Sequence, residues 1–546
     1  MRRRLPPRRL ARGAMVVALL ALAEVAPADR VITEDGRIVT PLKARKEGDG
    51  YHLTFENGEI LVPNAERIKA IEIEGDMSDY VPKSDDEREK LANGYVRYRG
   101  KWLSKPAYQA ELNREHKGAK ERADFIAEHS DWHNCWSAET QHLIVKSNTS
   151  PEILRYYCDL LEAYYKLMNK RIGINPTPSY RRKKMTVNIY KNMEEFHKLN
   201  AGGAGGGVLG YFWSYDDTLN FFHEYSEPSL TDWVALHECT HLLTFLVDQQ
   251  YAPQIWLNEA VADYFGSADI EIDDKGRITI TPGKLQTDRI LTVQQAIKDE
   301  KDTKLADLFF IDRDAFDGFQ YAHAWSFVYF LNNHDGGKYA VGFWKFFKDL
   351  YTRQKGLEYQ PVVGGGQTGA AFQARPEDIR DYLLKKIGVK EVAQLEDEWK
   401  AFVKAVPIES AEARMKRGLH AVRMFRHDEI DQAIEDLTAA IDAGVTDPRA
   451  WAARGRALAR KGRAADGVKD LERAVEMDPL SAAFRYELSR LQAGYSYSFS
   501  GGGGIRVSTS GDDKTLNDPA AKAQAGLAME LDPENDQFRQ WYERFE

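Results

Sequence analysis

The amino-acid sequence predicts an α+β protein in which a small antiparallel β module, a mixed α/β domain and an all-α repeat domain follow one another. Three observations predict this order: alternating polar and apolar stretches near the start, strand-like and helix-like segments in the middle, and a 34-residue recurrence near the end. The 546 residues, 43% hydrophobic and 11% aromatic, suffice for several packed domains and exclude a wholly disordered chain. A formal charge of −9 argues against a dedicated nucleic-acid binder.

Residues 1–28 have the pattern of a secretory signal peptide. Six arginines precede an apolar run, AMVVALLALA, and a small-residue cleavage pattern follows at Ala26-Pro27-Ala28. The apolar run is shorter than the roughly 20 residues needed to span a bilayer, so we expect no stable membrane span. The sequence therefore predicts export to the periplasm or the extracellular space.

Residues 29–78 are predicted to form the small antiparallel β module. Alternating stretches such as RVITEDGRIV and YHLTFENGEILV contain Asp-Gly and Asn-Gly dipeptides, which are hairpin turn signals. The strongly charged segment 79–135 is predicted to be a mostly helical linker region with a short β interruption, GYVRYRGKWLS.

Residues 136–405 are predicted to form the mixed α/β domain. HLIVKS and MTVNIYK have the pattern of strands, ILRYYCDLLEAYYKLM between them has apolar residues at helical spacing, and YFWSYDDTLNFF is predicted to be a hairpin. The next segment, TDWVALHECTHLLTFLVDQQ, is predicted to be a helix.

A possible metal motif, His237-Glu238-Cys239-Thr240-His241, lies on that predicted helix. Residues four apart share one helical face, so the two imidazoles can both reach one tetrahedral zinc ion. Glu238 lies beside them, where it can hydrogen-bond a metal-bound water. Cys239 points away from this face and is predicted to be a small buried hydrophobe.

A second acidic group follows at a spacing that allows a third ligand. Glu259 comes eighteen positions after His241, in the helix-like segment IWLNEAVADYF, and the loop between lets the second helix return beside the first. Glu259 is therefore the candidate third ligand, which leaves the fourth zinc position for water. Asp263, one turn later on the same face, is expected to accept the free ring N–H of a ligand histidine, and Asn258 to help orient this network.

HECTH followed by NEAVAD resembles the gluzincin zinc metallopeptidases, the class that includes thermolysin-like and aminopeptidase-N-like enzymes, and is most similar to bacterial families with an E-x-x-A-x-Y-F segment. The resemblance covers about residues 136–405 and implies a zincin-like peptidase domain. It implies that His237, His241 and Glu259 hold one zinc ion per chain and that Glu238 is the general base. The implied reaction is hydrolysis of a peptide or protein substrate by zinc-activated water.

The same resemblance implies a donor for the developing oxyanion. Aminopeptidase-N-like enzymes carry a tyrosine at the start of a helix similar to FQYAHAWSFVYFLNN, which implies this role for Tyr321. His323 is the alternative donor, because thermolysin-like enzymes use a histidine, and a purely structural aromatic at Tyr321 is a third interpretation. Family analogy and sequence order also assign the substrate-binding edge to the strand around Val208–Trp213.

Residues 410–546 contain the recurrence. Asp436-Leu437 returns as Asp470-Leu471 after 34 residues, and a third copy follows a glycine-rich insertion. A 34-residue helix pair ending in Asp-Pro resembles the tetratricopeptide repeat (TPR). Such stacks bind a peptide or protein partner on a concave surface, or they brace the preceding domain, and the sequence leaves both roles open.

The leading hypothesis is an exported zinc-dependent metallopeptidase. One alternative is a TPR-based interaction scaffold that carries a non-proteolytic metallopeptidase-like domain, which the complete set of ligands, base and supporting aspartate disfavours. Another is a zinc hydrolase of non-peptide amides. Cys135 and Cys158 are candidate partners for a disulfide formed after export.

Overall fold

The computed structural model describes residues 29–34, 37–74, 77–174, 176, 183–199, 208–224, 228–273, 275–352, 357–362, 371–423, 429–500, 504–509, 517–533 and 535–545. The predicted signal peptide lies outside these ranges. The architecture is α+β. The chain divides into two compact units, one with residues up to 54 together with 63–121, the other with 55–62 together with the chain from 122 onward. No helix among the described residues is long and apolar enough to cross a bilayer.

The strands, in chain order, are β1 (Arg30–Thr33), β2 (Ile38–Val39), β3 (Lys43–Glu47), β4 (Gly50–Phe55), β5 (Gly58–Val62), β6 (Ile68–Glu72), β7 (Val96–Tyr98), β8 (Lys101–Leu103), β9 (Trp136–Glu139), β10 (Leu143–Ser147), β11 (Met185–Tyr190), β12 (Gly210–Trp213), β13 (Thr218–Phe222), β14 (Ala268–Ile272), β15 (Ile278–Pro282), β16 (Tyr359–Val362), β17 (Ala371–Ala374), β18 (Tyr495–Ser500) and β19 (Gly504–Thr509).

The helices are α1 (Asp85–Ala92), α2 (Lys105–His129), α3 (Pro151–Ile172), α4 (Met193–Leu199), α5 (Pro228–Val247), α6 (Ile255–Gly266), α7 (Thr287–Lys298), α8 (Leu305–Leu308), α9 (Gly318–Asn333), α10 (Ala340–Tyr351), α11 (Pro376–Ile387), α12 (Val392–Ala405), α13 (Ala411–Arg423), α14 (Ile430–Asp442), α15 (Pro448–Arg460), α16 (Ala464–Met477), α17 (Ala482–Gln492), α18 (Pro519–Leu531) and α19 (Asp536–Tyr542).

The first unit is built from short antiparallel pairs. β1 pairs with both β2 and β6, β3 pairs with β4, and β7 pairs with β8. A small core of Val96, Tyr98, Tyr108 and Leu112 holds β7 against α2. Antiparallel strands therefore occupy most of the segment predicted as a β module, and two helices occupy most of the charged segment after it.

The second unit contains a five-stranded mixed sheet in the order β12-β13-β11-β10-β9. The three inner strands run parallel, whereas β9 and β12 are antiparallel edge strands. Val145, Val187 and Leu219 lie opposite one another across the inner strands and are fully buried. The strands predicted from HLIVKS and MTVNIYK and the hairpin predicted from YFWSYDDTLNFF are confirmed.

Helix α5, which carries the two histidines of the HECTH motif, is buried on most of its sides. It packs against β12, β13, α3 and α6, and apolar residues therefore occur all around it, as expected for a central helix. Gly210 of β12 allows the close approach of this edge strand, because a Cβ there would lie 2.5 Å from Val234 Cγ1 on α5. The edge strand and the histidine-bearing helix are thus held in direct contact.

Helix α6 returns beside α5 and completes the frame of the site. Trp256, Leu257 and Phe265 of α6 are fully buried in the main core. Gly266 leaves room for Trp233 of α5, since a Cβ at this position would lie 3.0 Å from Trp233 Nε1. Trp233 in turn stacks on the His237 ring, with ring centroids 5.0 Å apart.

The C-terminal helices pack in consecutive pairs, α13 with α14, α15 with α16 and α17 with α18. Asp436 accepts hydrogen bonds of 2.9 and 2.6 Å from Arg417, and Asp470 accepts bonds of 2.7 and 2.8 Å from Arg454. The recurring Asp-Leu dipeptide therefore marks a recurring ion pair between paired helices. The hairpin β18–β19 lies between α17 and α18, where the sequence has its glycine-rich insertion.

The first helix of this region packs directly on α7. Thr287 Oγ1 donates to the Ala413 carbonyl at 3.3 Å, and His420 Nε2 lies 3.4 Å from Asp288 Oδ2. The repeat region thus supports a helix of the preceding domain. The three cysteines, including the pair considered for a disulfide, are free thiols, and Cys239 is fully buried as predicted.

Asp232 near the start of α5 is a half-buried acid beside Tyr156 and Tyr157 of α3, with its Oδ1 atom buried. Burial raises the pKa of Asp232 from 3.8 to about 6, although hydrogen bonds from Tyr156 and Tyr157 oppose the rise. The folded protein therefore retains a proton that the unfolded chain loses between pH 3.8 and about 6. The stability due to this proton is fully present below pH 3.8 and declines as the pH rises to about 6.

Replacing Asp232 with asparagine should remove this pH dependence. We expect the free energy of unfolding of Asp232→Asn, relative to the parent, to increase by about 2 kcal/mol between pH 4 and pH 6.5, because a neutral amide has no ionisation penalty. Urea unfolding across this pH range measures the difference. A constant difference between the two proteins would show that Asp232 is already ionised in the folded state throughout.

Candidate metal centre

The two histidines of the HECTH motif point to the same place from one face of α5. His237 Nε2 and His241 Nε2 lie 3.3 Å apart. This follows from the four-residue spacing, which places both side chains on one helical face. Their two ring nitrogens therefore converge on a common point.

Glu259 of α6 completes a triangle of donor atoms. Its Oε2 lies 3.5 Å from His237 Nε2 and 3.7 Å from His241 Nε2, and one donor atom from each residue falls within 4.8 Å of the others. Bonds of about 2.05 Å to a tetrahedral zinc ion separate its ligands by about 3.3 Å. The observed separations match that requirement closely, so the three residues fit a zinc ion with one position left open.

The ring nitrogens that face away from this point also have acceptors nearby. His237 Nδ1 lies 3.1 Å from Asp263 Oδ1, and His241 Nδ1 lies 3.3 Å from Asn258 Oδ1. An acceptor at Nδ1 favours the tautomer whose proton is on Nδ1, which leaves the Nε2 lone pair for a metal. The structure thus brings Asp263 and Asn258 to the positions that the sequence predicted.

Arg289 of α7 neutralises the buried aspartate behind His237. Its guanidinium donates to Asp263 Oδ2, and both side chains are almost completely buried. Sequence reasoning did not identify Arg289, because it lies 26 residues from Asp263 and no local pattern links them. Only the packing of α7 against the site reveals the pair.

The electrostatics of the cluster favour a cation between the imidazoles. Burial disfavours a charge on His237, but the nearby carboxylates outweigh it and raise its pKa to about 10. Burial also opposes ionisation of Glu259, yet the two imidazoles hold its pKa well below the ordinary range. The Arg289 guanidinium and His237 likewise keep the pKa of Asp263 low despite burial. Two ionised carboxylates therefore face two imidazoles, a donor set suited to a divalent metal.

Glu238, the predicted general base, faces the same cavity as the three candidate ligands. Its Oε2 accepts a hydrogen bond of 3.0 Å from the backbone N–H of Phe212 on β12. This N–H points away from β13 and towards the cavity. The carboxylate therefore lies between the candidate ligands and the edge strand, a contact that the sequence did not predict.

Tyr321 lines the cavity from the first turn of α9. Its ring packs on Phe316 with centroids 4.7 Å apart, and the Arg289 guanidinium lies 5.5 Å from its ring centroid. Burial and the carboxylate of Glu259 raise the pKa of Tyr321, so its hydroxyl keeps its proton. The structure thus brings Tyr321 beside Glu259, where it can act as a hydrogen-bond donor.

The alternative donor, His323, is not brought to this cavity. It is fully buried, its Nδ1 lies 2.9 Å from the Phe319 carbonyl oxygen, and its ring packs near Trp399. Two residues turn a helix by about 200°, so Tyr321 and His323 face nearly opposite sides of α9. Of the two candidates, only Tyr321 lines the cavity.

The cavity in front of the cluster has a volume of about 980 Å³. The edge strand β12, the segment 309–313 and Tyr321 all contribute to its lining. This volume is at the upper end of the range for small-molecule sites, about 300–1,000 Å³, and admits several residues of an extended peptide.

A comparison with protein-family models finds none that matches the chain, and a comparison with curated proteins finds no significant relative. The chemistry of the site is therefore interpreted from its own geometry.

Removing the Arg289 guanidinium should strongly destabilise the protein. Arg289→Met leaves Asp263 buried without its counter-charge, so we expect the free energy of unfolding of the metal-free protein to fall by about 3–5 kcal/mol. Urea unfolding in the presence of a chelator measures this loss. The double variant Asp263→Asn/Arg289→Met should recover part of it, because no buried charge then lacks a partner.

Arg313→Met is a matched control, since Arg313 lies 3.7 Å from Glu259 but is 77% exposed. A contact to a buried carboxylate from a largely solvated cation 3.7 Å away should contribute much less than the buried Arg289–Asp263 pair, at most about 1 kcal/mol. Equal losses for Arg289→Met and Arg313→Met would contradict the role assigned to the buried pair.

Proposed function

We propose that the protein is a zinc-dependent metallopeptidase that hydrolyses peptide bonds, with a zincin-like domain followed by TPR-like repeats. The observation that carries this proposal is the convergence of donor atoms from His237, His241 and Glu259 within 4.8 Å beside a cavity that also contains Glu238. A structural ion pair needs one acid and one base, whereas two imidazoles and two carboxylates meet here. The signal-peptide pattern adds the expectation that the enzyme acts after export.

Different residues have different proposed roles in hydrolysis. His237, His241 and Glu259 would hold the zinc ion, and Asp263 and Asn258 orient the two imidazoles. When bound, zinc supplies Lewis acidity towards the attacking water and the scissile carbonyl. Glu238 takes the proton from the attacking water and delivers it to the leaving amine.

Tyr321 is the proposed donor to the developing oxyanion. Its hydroxyl stays protonated because burial and Glu259 raise its pKa, and it faces the cavity beside the candidate ligands. A donor held in place before the reaction stabilises negative charge without reorganisation. These properties favour Tyr321 over an ordinary core aromatic.

The edge strand β12 is the proposed binding edge for an extended substrate. Among the residues that the structure describes, β12 pairs with β13 on one side only, and on the other side the Phe212 N–H donates to Glu238. Main-chain hydrogen bonds to an exposed strand edge are a common way to bind extended peptides. A peptide aligned on β12 would pass directly in front of the candidate metal centre.

The repeat region supports the domain that carries the site. Its first helix, α13, contacts α7 at Thr287 and Asp288, next to Arg289. This contact favours a structural role for at least the first repeat, which would brace the preceding domain. Binding of a protein partner by the remaining repeats stays a prediction. The complete ligand and base set disfavours a scaffold with a non-proteolytic domain.

Glu238→Gln tests the proposed function most simply. The variant should retain one zinc ion per chain but lose peptide cleavage by about 100- to 10,000-fold, because the amide cannot accept the proton of the attacking water. Metal analysis and digestion of a mixed peptide library measure the two properties. Glu271→Gln, an exposed change outside the cavity, is the control. Unimpaired cleavage by Glu238→Gln would exclude Glu238 as the base.

Tyr321→Phe should lower kcat by about 10- to 1,000-fold with a smaller change in KM, because the lost hydrogen bond forms mainly in the transition state. Steady-state kinetics with a peptide taken from the library measure this. Tyr329→Phe on the same helix is the control, since Tyr329 stacks on Trp325 away from the cavity. A kcat equal to that of the parent would remove Tyr321 from the mechanism.

A further inference from the structure

One strongly basic side chain occurs among the described residues that line the cavity in front of the candidate metal centre. Among the described residues that line it, Arg313 alone carries a guanidinium or ammonium group, whereas Glu238, Glu259 and Asp312 carry carboxylates. The mechanism proposed above uses the first two carboxylates and does not use Arg313. A cation in this position needs an explanation of its own.

Arg313 is open to the cavity, unlike the other arginine near the cluster. Its side chain is 77% exposed, and its Nη2 lies 3.7 Å from Glu259 Oε1, which is longer than a hydrogen bond. The Arg289 side chain, by contrast, is buried and bound to Asp263. Arg289 therefore supports the cluster, while the N–H groups of Arg313 remain accessible to a ligand that enters the cavity.

The short helical turn Arg313–Ala315 holds this side chain in the cavity lining, beside Glu259. A guanidinium offers parallel N–H donors that match the two oxygens of a carboxylate. Glu238, Glu259 and Asp312 repel an anion. Apart from the candidate metal position, Arg313 is therefore the one cationic contact that the described lining side chains offer to an anionic group, and this contact orients the rest of the substrate relative to Glu238.

We infer that Arg313 binds a carboxylate of the peptide substrate close to the scissile bond, an inference that rests on the proposed peptidase function. The carboxylate has two sources, an Asp or Glu side chain or the C-terminal carboxylate of the peptide. The first makes the enzyme an endopeptidase with acidic preference, and the second makes it a carboxypeptidase. Both carboxylates would make the same contact with Arg313. Two pairs of peptides, each varying one of the two carboxylates, therefore tell the sources apart.

The test compares binding of matched fluorescent peptides to the zinc-loaded Glu238→Gln protein, in which turnover is suppressed. One pair differs by Glu against Gln at an internal position and has an amidated C-terminus. The other pair lacks acidic side chains and differs by a free against an amidated C-terminus. We expect one pair to show about tenfold tighter binding of the carboxylate member, with the difference decreasing at high salt.

Substitution of Arg313 in the same background identifies the contact. Arg313→Gln should abolish the discrimination, and Arg313→Glu should reverse it in favour of a Lys-containing peptide. Arg277→Gln is the matched control, because Arg277 is an exposed arginine paired with Asp273 and does not line the cavity. Metal analysis of each variant should find the zinc content unchanged.

Equal binding within both peptide pairs would overturn the inference, and so would discrimination that persists in Arg313→Gln. Loss of zinc from Arg313→Gln would also overturn it, because Arg313 would then serve to support Glu259. Cleavage of the same peptides by protein with Glu238 intact is measured in parallel. Discrimination in binding without cleavage of any peptide would sustain the carboxylate site and contradict the peptidase function, so the two failures are distinguishable.

Discussion

The packing of α6 beside α5 is the constraint on which the site depends. It places the buried carboxylates of Glu259 and Asp263 opposite His237 and His241, where an unpaired charge is very costly. Each buried carboxylate has a source of positive charge beside it. For Glu259 these are the two imidazoles, and for Asp263 they are the Arg289 guanidinium and His237. The geometry of the arrangement matches the separations that a tetrahedral ion requires.

Residues far apart in the sequence maintain this packing. Gly210 brings the edge strand against α5, and Gly266 admits Trp233, which stacks on His237. Arg289 comes from α7, and the first repeat helix packs on α7. The repeat region is therefore connected to the candidate metal centre by the packing of α13 on α7 and by the contact of Arg289 with Asp263. A change in the repeats that shifts α7 would reach His237 through Arg289 and Asp263.

The parts of the site that the sequence predicted are those set by local geometry. The helical spacing of His237 and His241 fixes their common face, and one turn separates Glu259 from Asp263 in the same way. The same rule explains why Tyr321 and His323 cannot both face the cavity, since two residues turn a helix by about 200°. Arg289, Arg313 and the Phe212 N–H reach the site through the approach of separate segments, and no local pattern encodes that approach. In the fold, alternation predicted the strands and hairpin of the mixed sheet, whereas its strand order depends on long-range pairing.

Zinc-edge X-ray absorption combined with metal analysis would detect the proposed metal centre itself. We expect one zinc ion per chain, bound by two imidazole nitrogens and one carboxylate at about 2.0–2.2 Å with a further light-atom ligand. His241→Ala should lose this signal. A protein that binds no zinc after reconstitution, or a zinc spectrum that is unchanged in His241→Ala, would exclude a zinc site at these three residues.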